Sequence, residues 1–158
     1  METPTDDSLT AWLTSQPSWL INQTSRHAHR LVSEGLGSVG SRGYHYRLLM
    51  TLDEFGPVSQ ADLGRRSGIH LSDVVAAVNE LVDRQLVERA PDPADRRRNV
   101  ITITPAGRRE RRRLTKRLAQ IQDELLAPLA PDERDQLTRL LTRVLDHHTR
   151  QSRLGNDA

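Results

Sequence analysis

From about residue 44 to residue 104 the chain alternates short apolar stretches with punctuation that fixes their type. Leu48, Leu49, Leu52 and Phe55 mark a helix, and Gly56-Pro57 ends it. Ser59-Gln60-Ala61-Asp62 opens a short helix through about Ser67, with Ser59 placed to cap it and Gly68 to stop it. Val74, Val75, Val78 and Leu81 then mark another helix, Leu71 to Arg84. After it the period changes. Leu86, Val87 and Arg89 read as one strand, and Asn99 to Thr104, with Val100, Ile101 and Ile103, as a second. Between them Pro91-Asp92-Pro93-Ala94-Asp95 forms a turn, because proline fixes φ and aspartate bonds its own backbone. Two short helices split by a glycine-containing turn and followed by a hairpin describe a winged helix-turn-helix.

The flanks are helical too. Leu9, Trp12 and Leu13 open a first stretch that Pro17 interrupts, and Ser18 to about Glu34 places Trp19, Gln23, His27 and Leu31 on one face. Gly35 to Gly43 is glycine-rich and is expected to be a loop. A helix starting at Pro105 carries Leu114, Leu118, Ile121 and Leu125 until Pro128 and Pro131 break it. The last helix shows Leu137, Leu140, Leu141, Val144 and Leu145, a stripe broad enough for packing between subunits. The fold class is therefore mainly α with a small β-hairpin wing (α+β). Dimerisation helices and a loop are expected at 8–42, the winged helix-turn-helix at 43–104, further dimerisation helices at 105–150 and an unstructured tail at 151–158.

Composition supports a subunit that needs a partner. Hydrophobic residues are 35% of a 158-residue chain and the aromatics are two tryptophans, two tyrosines and one phenylalanine. So thin a core is easier to explain if long helices bury their apolar faces against a second copy. Net charge is only +2, but Lys116 is the one lysine, so the positive charge is almost all arginine. Arginine's planar fork suits phosphates and guanine edges, although a GC-rich genome would give the same bias. With no cysteine, disulfides, thiolate metal sites and thiol redox sensing are excluded. No apolar run approaches the roughly 18 residues that cross a bilayer, and the first ten residues lack a signal-peptide pattern. A cytoplasmic protein with no membrane partner is the expectation.

Candidate chemistry concentrates in the hairpin. Arg96, Arg97 and Arg98 lie at or just past its tip, held out from a rigid base, which suits a nucleic-acid groove where negative potential is focused. A solvated hairpin, or an edge protected by charge, are the alternatives. The run Gly107 to Arg117 holds seven basic residues. It reads as a solvated basic face; Arg108, Arg111 or Arg112 touching phosphates, or one facing a cleft, are the sharper readings. Of the six histidines, no pair has the i, i+4 spacing that sets two imidazoles on one helix face, so no metal site is expected, although His45 with His27 could meet through the fold. No phosphate-binding glycine motif, HExxH or nucleophile elbow is present, so neither cofactor nor catalysis is expected.

Gly56, Leu63, Gly68-Ile69, Ser72, Val74 and Leu81 to Val87 form an ordered series. Asp92-Pro93-Ala94-Asp95-Arg96-Arg97 and Thr102 to Gly107 complete it. In this series the chain resembles the MarR-type transcriptional regulators over residues 44–107, and the flanking helices look like that family's dimerisation arms. The Asp-Pro-x-Asp-Arg-Arg wing followed by Thr-x-x-Gly is the specific part. The resemblance implies a homodimer on a pseudo-palindromic operator in double-stranded DNA, acting as a repressor released by a small molecule. It implies that Asp95 orients Arg97 for the minor groove while Arg96 and Arg98 touch phosphates. Ser72, Asp73, Ala76 and Asn79 would face the bases, and Ser59 and Gln60 the DNA backbone. An effector site would draw on Trp19, Gln23, His27, Tyr44, His45 and Arg47, aromatic walls with a few polar groups that fit an aromatic or phenolic ligand. Two positions depart from the family. Gln85 stands where the family usually has glycine, at a left-handed helix end. The recognition helix is acidic, with Asp73, Glu80 and Asp83 against Arg84, and Ala76 where relatives often carry arginine. That acidity leaves open a winged-helix protein-interaction module that has lost DNA binding.

Overall fold

The structure, a computed structural model, describes residues 6–156. The chain divides into two compact units, 1–121 and 122–158. The first runs α1 (Asp6–Thr14), α2 (Pro17–Gly37), α3 (Gly43–Phe55), β1 (Val58–Ser59), α4 (Gln60–Ser67), α5 (Leu71–Asp83), β2 (Val87–Pro91), β3 (Asn99–Ile103) and most of α6 (Pro105–Leu125). The second holds the end of α6 and α7 (Pro131–Asn156). The fold is mainly helical with a small antiparallel sheet, a winged helix-turn-helix.

The core of the first unit forms where the apolar faces of α3, α4 and α5 meet the sheet. Leu48, Leu52, Leu63, Val78, Leu81 and Ile101 are fully buried there, and Leu114 and Ile121 bring α6 into the same cluster. Each such burial is worth about 1.5–3 kcal/mol, which fixes the helix-turn-helix on its scaffold. The wing is not a bare hairpin. Its strand order is β1-β3-β2, with Val58 opposite Ile101 and Ser59 opposite Val100 on one side, and Val87 opposite Ile103 through Pro91 opposite Asn99 on the other. β1 carries no periodic signal because it is two residues long; only its pairing with β3 defines it.

The expected loop at 35–43 is shorter than its glycines suggest. α2 continues through Gly37 and α3 starts at Gly43. Leu36 is buried, and a Cβ on Gly35 would lie 2.5 Å from Ile121 Cδ1. Gly35 thus serves close packing of α2 on α6, which a helix satisfies and a loop would not.

In the second unit Pro131 occupies the first position of α7, where its missing N–H costs nothing. Glu133 accepts from the Ala130 amide at 2.7 Å, half of a capping box. Arg134 donates to Asp123 Oδ1 at 2.9 Å and to the Leu129 carbonyl at 3.1 Å. α7 leaves Leu140, Leu141, Val144 and Leu145 exposed. It reaches Asn156, inside the stretch expected as a tail; residues 157 and 158 lie outside the described set. Among the described residues no helix is long and apolar enough to cross a membrane.

Candidate nucleic-acid interface and adjoining cleft

The helix-turn-helix is set by local chemistry. Ser59 Oγ accepts from the Asp62 amide at 3.1 Å, capping α4, and Gly68 ends that helix at φ 66°, ψ 31°. α5 follows with Val74, Ala77, Val78 and Leu81 buried, which turns the opposite face outward. On that outer face Ser72, Ala76 and Asn79 are exposed and Asp73 is half-buried. Asn79 is already engaged, because its Oδ1 accepts from Arg89 Nη2 at 2.6 Å. Ser59 is buried, whereas Gln60 is half-buried at the start of α4.

The wing turn is held by its aspartates. Asp92 Oδ1 accepts from the Ala94 amide at 2.9 Å, and Asp95 Oδ1 from the Arg97 amide at 3.1 Å. Asp95 therefore grips the backbone of Arg97, an Asx turn, and not its guanidinium as expected. Across the turn the Asp92 amide donates to the Arg98 carbonyl at 2.8 Å and the Arg98 amide to the Asp95 carbonyl at 2.9 Å. Arg96 and Arg97 are exposed, with no hydrogen bond or ion pair from their guanidinium groups among the described residues. Arg98 differs. Its Nη2 donates to Ser59 Oγ at 3.2 Å and lies 3.9 Å from Asp62 Oδ2.

Gln85 joins the helix to the wing at φ 58°. Its amide donates to the Val82 carbonyl at 2.8 Å and the next, Leu86, to the Leu81 carbonyl at 2.9 Å. This is a Schellman ending, closed by the buried pair Leu81 and Leu86. Thr104 then ties strand to helix: its Oγ1 donates to the Gln85 carbonyl at 2.8 Å and accepts from the Gly107 amide at 3.0 Å. A Cβ on Gly107 would overlap the Leu86 carbonyl, so the Thr-x-x-Gly spacing is a cap followed by a close backbone approach.

The basic run divides: Arg109, Arg112 and Lys116 are exposed, as a solvated face would have them, while other members are engaged within the fold. Arg108 and Arg111 both reach Asp53 of α3, at 3.2 and 2.8 Å. Arg113 donates to the Val39 carbonyl at 2.7 Å and, through two nitrogens, to Glu110 at 2.9 and 2.8 Å. Arg117 donates to the Gly35 carbonyl at 3.2 Å. Glu110 is nearly buried and also meets Arg84 at 3.4 Å. The Arg113 hydrogen bond holds its carboxyl below the usual range against the opposing effect of burial. These arginines fasten α6 to α3 and to the end of α2.

A cleft of about 1110 Å³ opens between α2, α3 and the last turn of α5. Of the residues named for an effector site, Tyr44, His45 and Arg47 line it, and Trp19, Gln23 and His27 do not. His29, Val32 and Ser33 take their place from α2, on a face roughly a third of a turn away at 100° per residue. From α5 come Glu80 and Asp83, and from its C-cap Arg84. His45 is buried and its Nε2 lies 2.7 Å from Glu80 Oε2; Arg42 donates to Glu80 Oε1 at 3.3 Å. Burial pushes the His45 imidazole below its ordinary pKa; the Glu80 hydrogen bond and charge oppose this, and Arg84 and Arg42 add to it. The neutral ring donates from Nε2 to Glu80, which leaves Nδ1 as a buried acceptor without a partner. Arg84 spans to the Gly40 carbonyl at 3.3 Å, and Arg47 donates to the Ser67 carbonyl. No group of three or more His, Asp or Glu side chains among the described residues could hold a metal ion.

Three comparisons place this architecture. A family model described as MarR family matches residues 41–98, from the end of the α2–α3 loop to the wing turn. The HTH-type transcriptional repressor NicR of Pseudomonas putida is 30% identical over 98 residues, spanning 62% of each chain. A probable transcriptional regulator from Pseudomonas aeruginosa is 31% identical with a TM-score of 0.72, covering 84% of this chain and 98% of its own. The PcaV transcriptional regulator from Streptomyces coelicolor is 30% identical with a TM-score of 0.73, covering 85% and 98%, and has also been solved in complex with its natural ligand. The chain belongs to the MarR family.

Within this MarR-family chain, sequence reasoning missed Glu80, Arg42, Arg84 and His29 as parts of the cleft. Glu80 and Arg84 were visible as an i, i+4 pair near the end of the recognition helix. Nothing local signals that His45, 35 residues earlier, meets Glu80. That contact is a product of α3 packing on α5.

Proposed function

We propose that this MarR-family transcriptional regulator works as a homodimeric repressor that binds a pseudo-palindromic operator in double-stranded DNA and releases it on binding a small-molecule effector. The observation that carries the DNA reading is the pair of exposed wing-tip cations, Arg96 and Arg97, on a turn fixed by Asp92 and Asp95. Arg97 enters the minor groove and Arg96 meets a phosphate, while Ser72, Asp73 and Ala76 of α5 face base edges and Gln60 the backbone. The relatives are transcriptional regulators, not enzymes, and such a regulator acts in the cytoplasm, where the DNA is. The effector occupies the cleft, against Tyr44 and the polar groups of His45 and Arg47; an aromatic or phenolic compound suits this lining. Because Glu80 and Asp83 belong to both cleft and recognition helix, a bound ligand bears directly on α5.

Binding of the protein to its own upstream intergenic duplex across a salt series tests this. Steep weakening with salt, and a loss of about 1–3 kcal/mol in Arg97→Ala, is the expected result. Unchanged binding in that variant removes Arg97 from the interface. The acidic surface of α5, with Asp73 and Asp83 at either end, favours a second reading, a protein-interaction module. No retention of duplex at low salt, together with salt-independent capture of a protein partner, would put that reading first.

A further inference from the structure

The wing meets the helix-turn-helix through an arginine on each side. On one side, β1 pairs with β3, setting Ser59 opposite Val100, two residues beyond Arg98. The Arg98 guanidinium turns back onto Ser59 Oγ at 3.2 Å, while Ser59 Oγ lies 2.9 Å from Asp62 Oδ2, itself 3.9 Å from Arg98. On the other side, Arg89 shares the face of β2 that buries Val87, since alternate residues of a strand point the same way. From the outer edge of that face it reaches Asn79 on α5 at 2.6 Å. The recognition helix thus supplies an acceptor to this exposed arginine.

We propose that Arg98 and Arg89 are positioning residues that lock the wing to the helix-turn-helix, leaving Arg96 and Arg97 as the cations with which the wing touches DNA. The inference rests on the DNA-binding reading above and sharpens it. Three of the residues that cross between wing and helices, Ser59, Asn79 and Arg98, are ones the sequence pattern assigns to DNA. Asn79 Oδ1 already accepts from Arg89, which ties this amide to the wing and leaves one lone pair of that oxygen for any base contact. Arg98 sits beside a carboxylate, which offsets its charge before any phosphate is met. The wing's geometry relative to α5 is set before DNA arrives, which spares the interface the ordering cost of a loose hairpin.

The test uses the full chain, its upstream intergenic duplex and three alanine variants. Arg98→Ala and Arg89→Ala are each expected to weaken binding by about fivefold for every wing while keeping the wild-type salt slope. Arg96→Ala is expected to flatten that slope by about 0.9 for each phosphate it no longer neutralises. A slope lowered equally by Arg98→Ala overturns the assignment and makes Arg98 a phosphate ligand. Hydrogen exchange without DNA decides the latch independently. The Asp92 and Arg98 amides, which close the wing turn, exchange faster in Arg98→Ala if the latch exists, with the melting temperature within about two degrees of wild type. Unchanged exchange overturns it. Failure of the wild type to bind any duplex would instead count against the DNA reading, with the exchange result still standing.

Discussion

Gln85 is the only non-glycine among the described residues with a positive φ. The left-handed ending is imposed by its surroundings: the Schellman bonds to Val82 and Leu81 and the Thr104 contact leave the backbone one way to turn into the wing. A side chain there carries a steric penalty that glycine lacks. Gln85→Gly is therefore expected to stabilise the fold by about 1 kcal/mol, less the extra entropy of a glycine in the unfolded chain, and urea unfolding at neutral pH measures it. Gly107 is the opposite case. It lies in the first turn of a helix, but a Cβ would overlap the Leu86 carbonyl and approach Ile103 Cγ1 at 2.8 Å. Since the first obstacle is backbone, the neighbour cannot rotate away, and Gly107→Ala should cost about 3 kcal/mol in the same assay. A loss below about 1 kcal/mol would mean that the first turn of α6 can shift without disturbing the wing. The two glycine positions of the family pattern thus serve different needs, one conformational and one steric.

Among elements, the junction of α3 with α5 is where the cleft and the recognition helix share residues. His45 is buried on α3 and donates to Glu80 on α5, with Arg42 on the same carboxylate and Arg84 nearby. Because burial lowers the folded-state pKa of His45, the unfolded chain binds the proton more readily. The corresponding stability is fully present above the ordinary histidine value of 6.5 and is lost as pH falls from there through the folded-state pKa. Unfolding free energy measured in urea from pH 8 downward should decline in that window, and His45→Gln should flatten the decline. A slope unchanged in the variant would show that other groups carry it. How much of this was legible in sequence depends on range. Ser59, Gly68 and the Asp92–Asp95 turn act within three or four residues, so their caps and turns could be read directly. β1 exists only through β3, the residue packed closest on Gly35 is Ile121, and Asp53 gathers Arg108 and Arg111 from 55 or more residues away. Those pairings have no local pattern. Charge in particular is ambiguous: an arginine run is the same string whether it meets solvent, phosphate or an internal carboxylate.

At the scale of the whole molecule, the apolar surface left exposed argues for a second copy. Leu140, Leu141, Val144 and Leu145 form a continuous face on α7, and Leu9, Trp12, Leu13, Leu20 and Ile21 are exposed on α1 and α2. Large contiguous apolar surface on an otherwise charged chain marks an interaction site, and a two-fold partner would set two wings about one DNA turn apart. Replacing Leu141 and Val144 together by glutamate tests the assignment without touching the winged core. At about 1.5 kcal/mol for each apolar side chain no longer buried, the four replacements in a dimer raise its dissociation constant by roughly four orders of magnitude. Sedimentation velocity should then show a monomer, with operator affinity falling to that of a single wing and helix-turn-helix, while circular dichroism retains the helical signal. A variant that stays dimeric would take α7 out of the interface and leave the exposed face of α1 and α2 as the surface to mutate. A monomer that still bound the operator at wild-type affinity would break the link between dimer and half-site spacing, because one winged domain would then suffice to read the DNA.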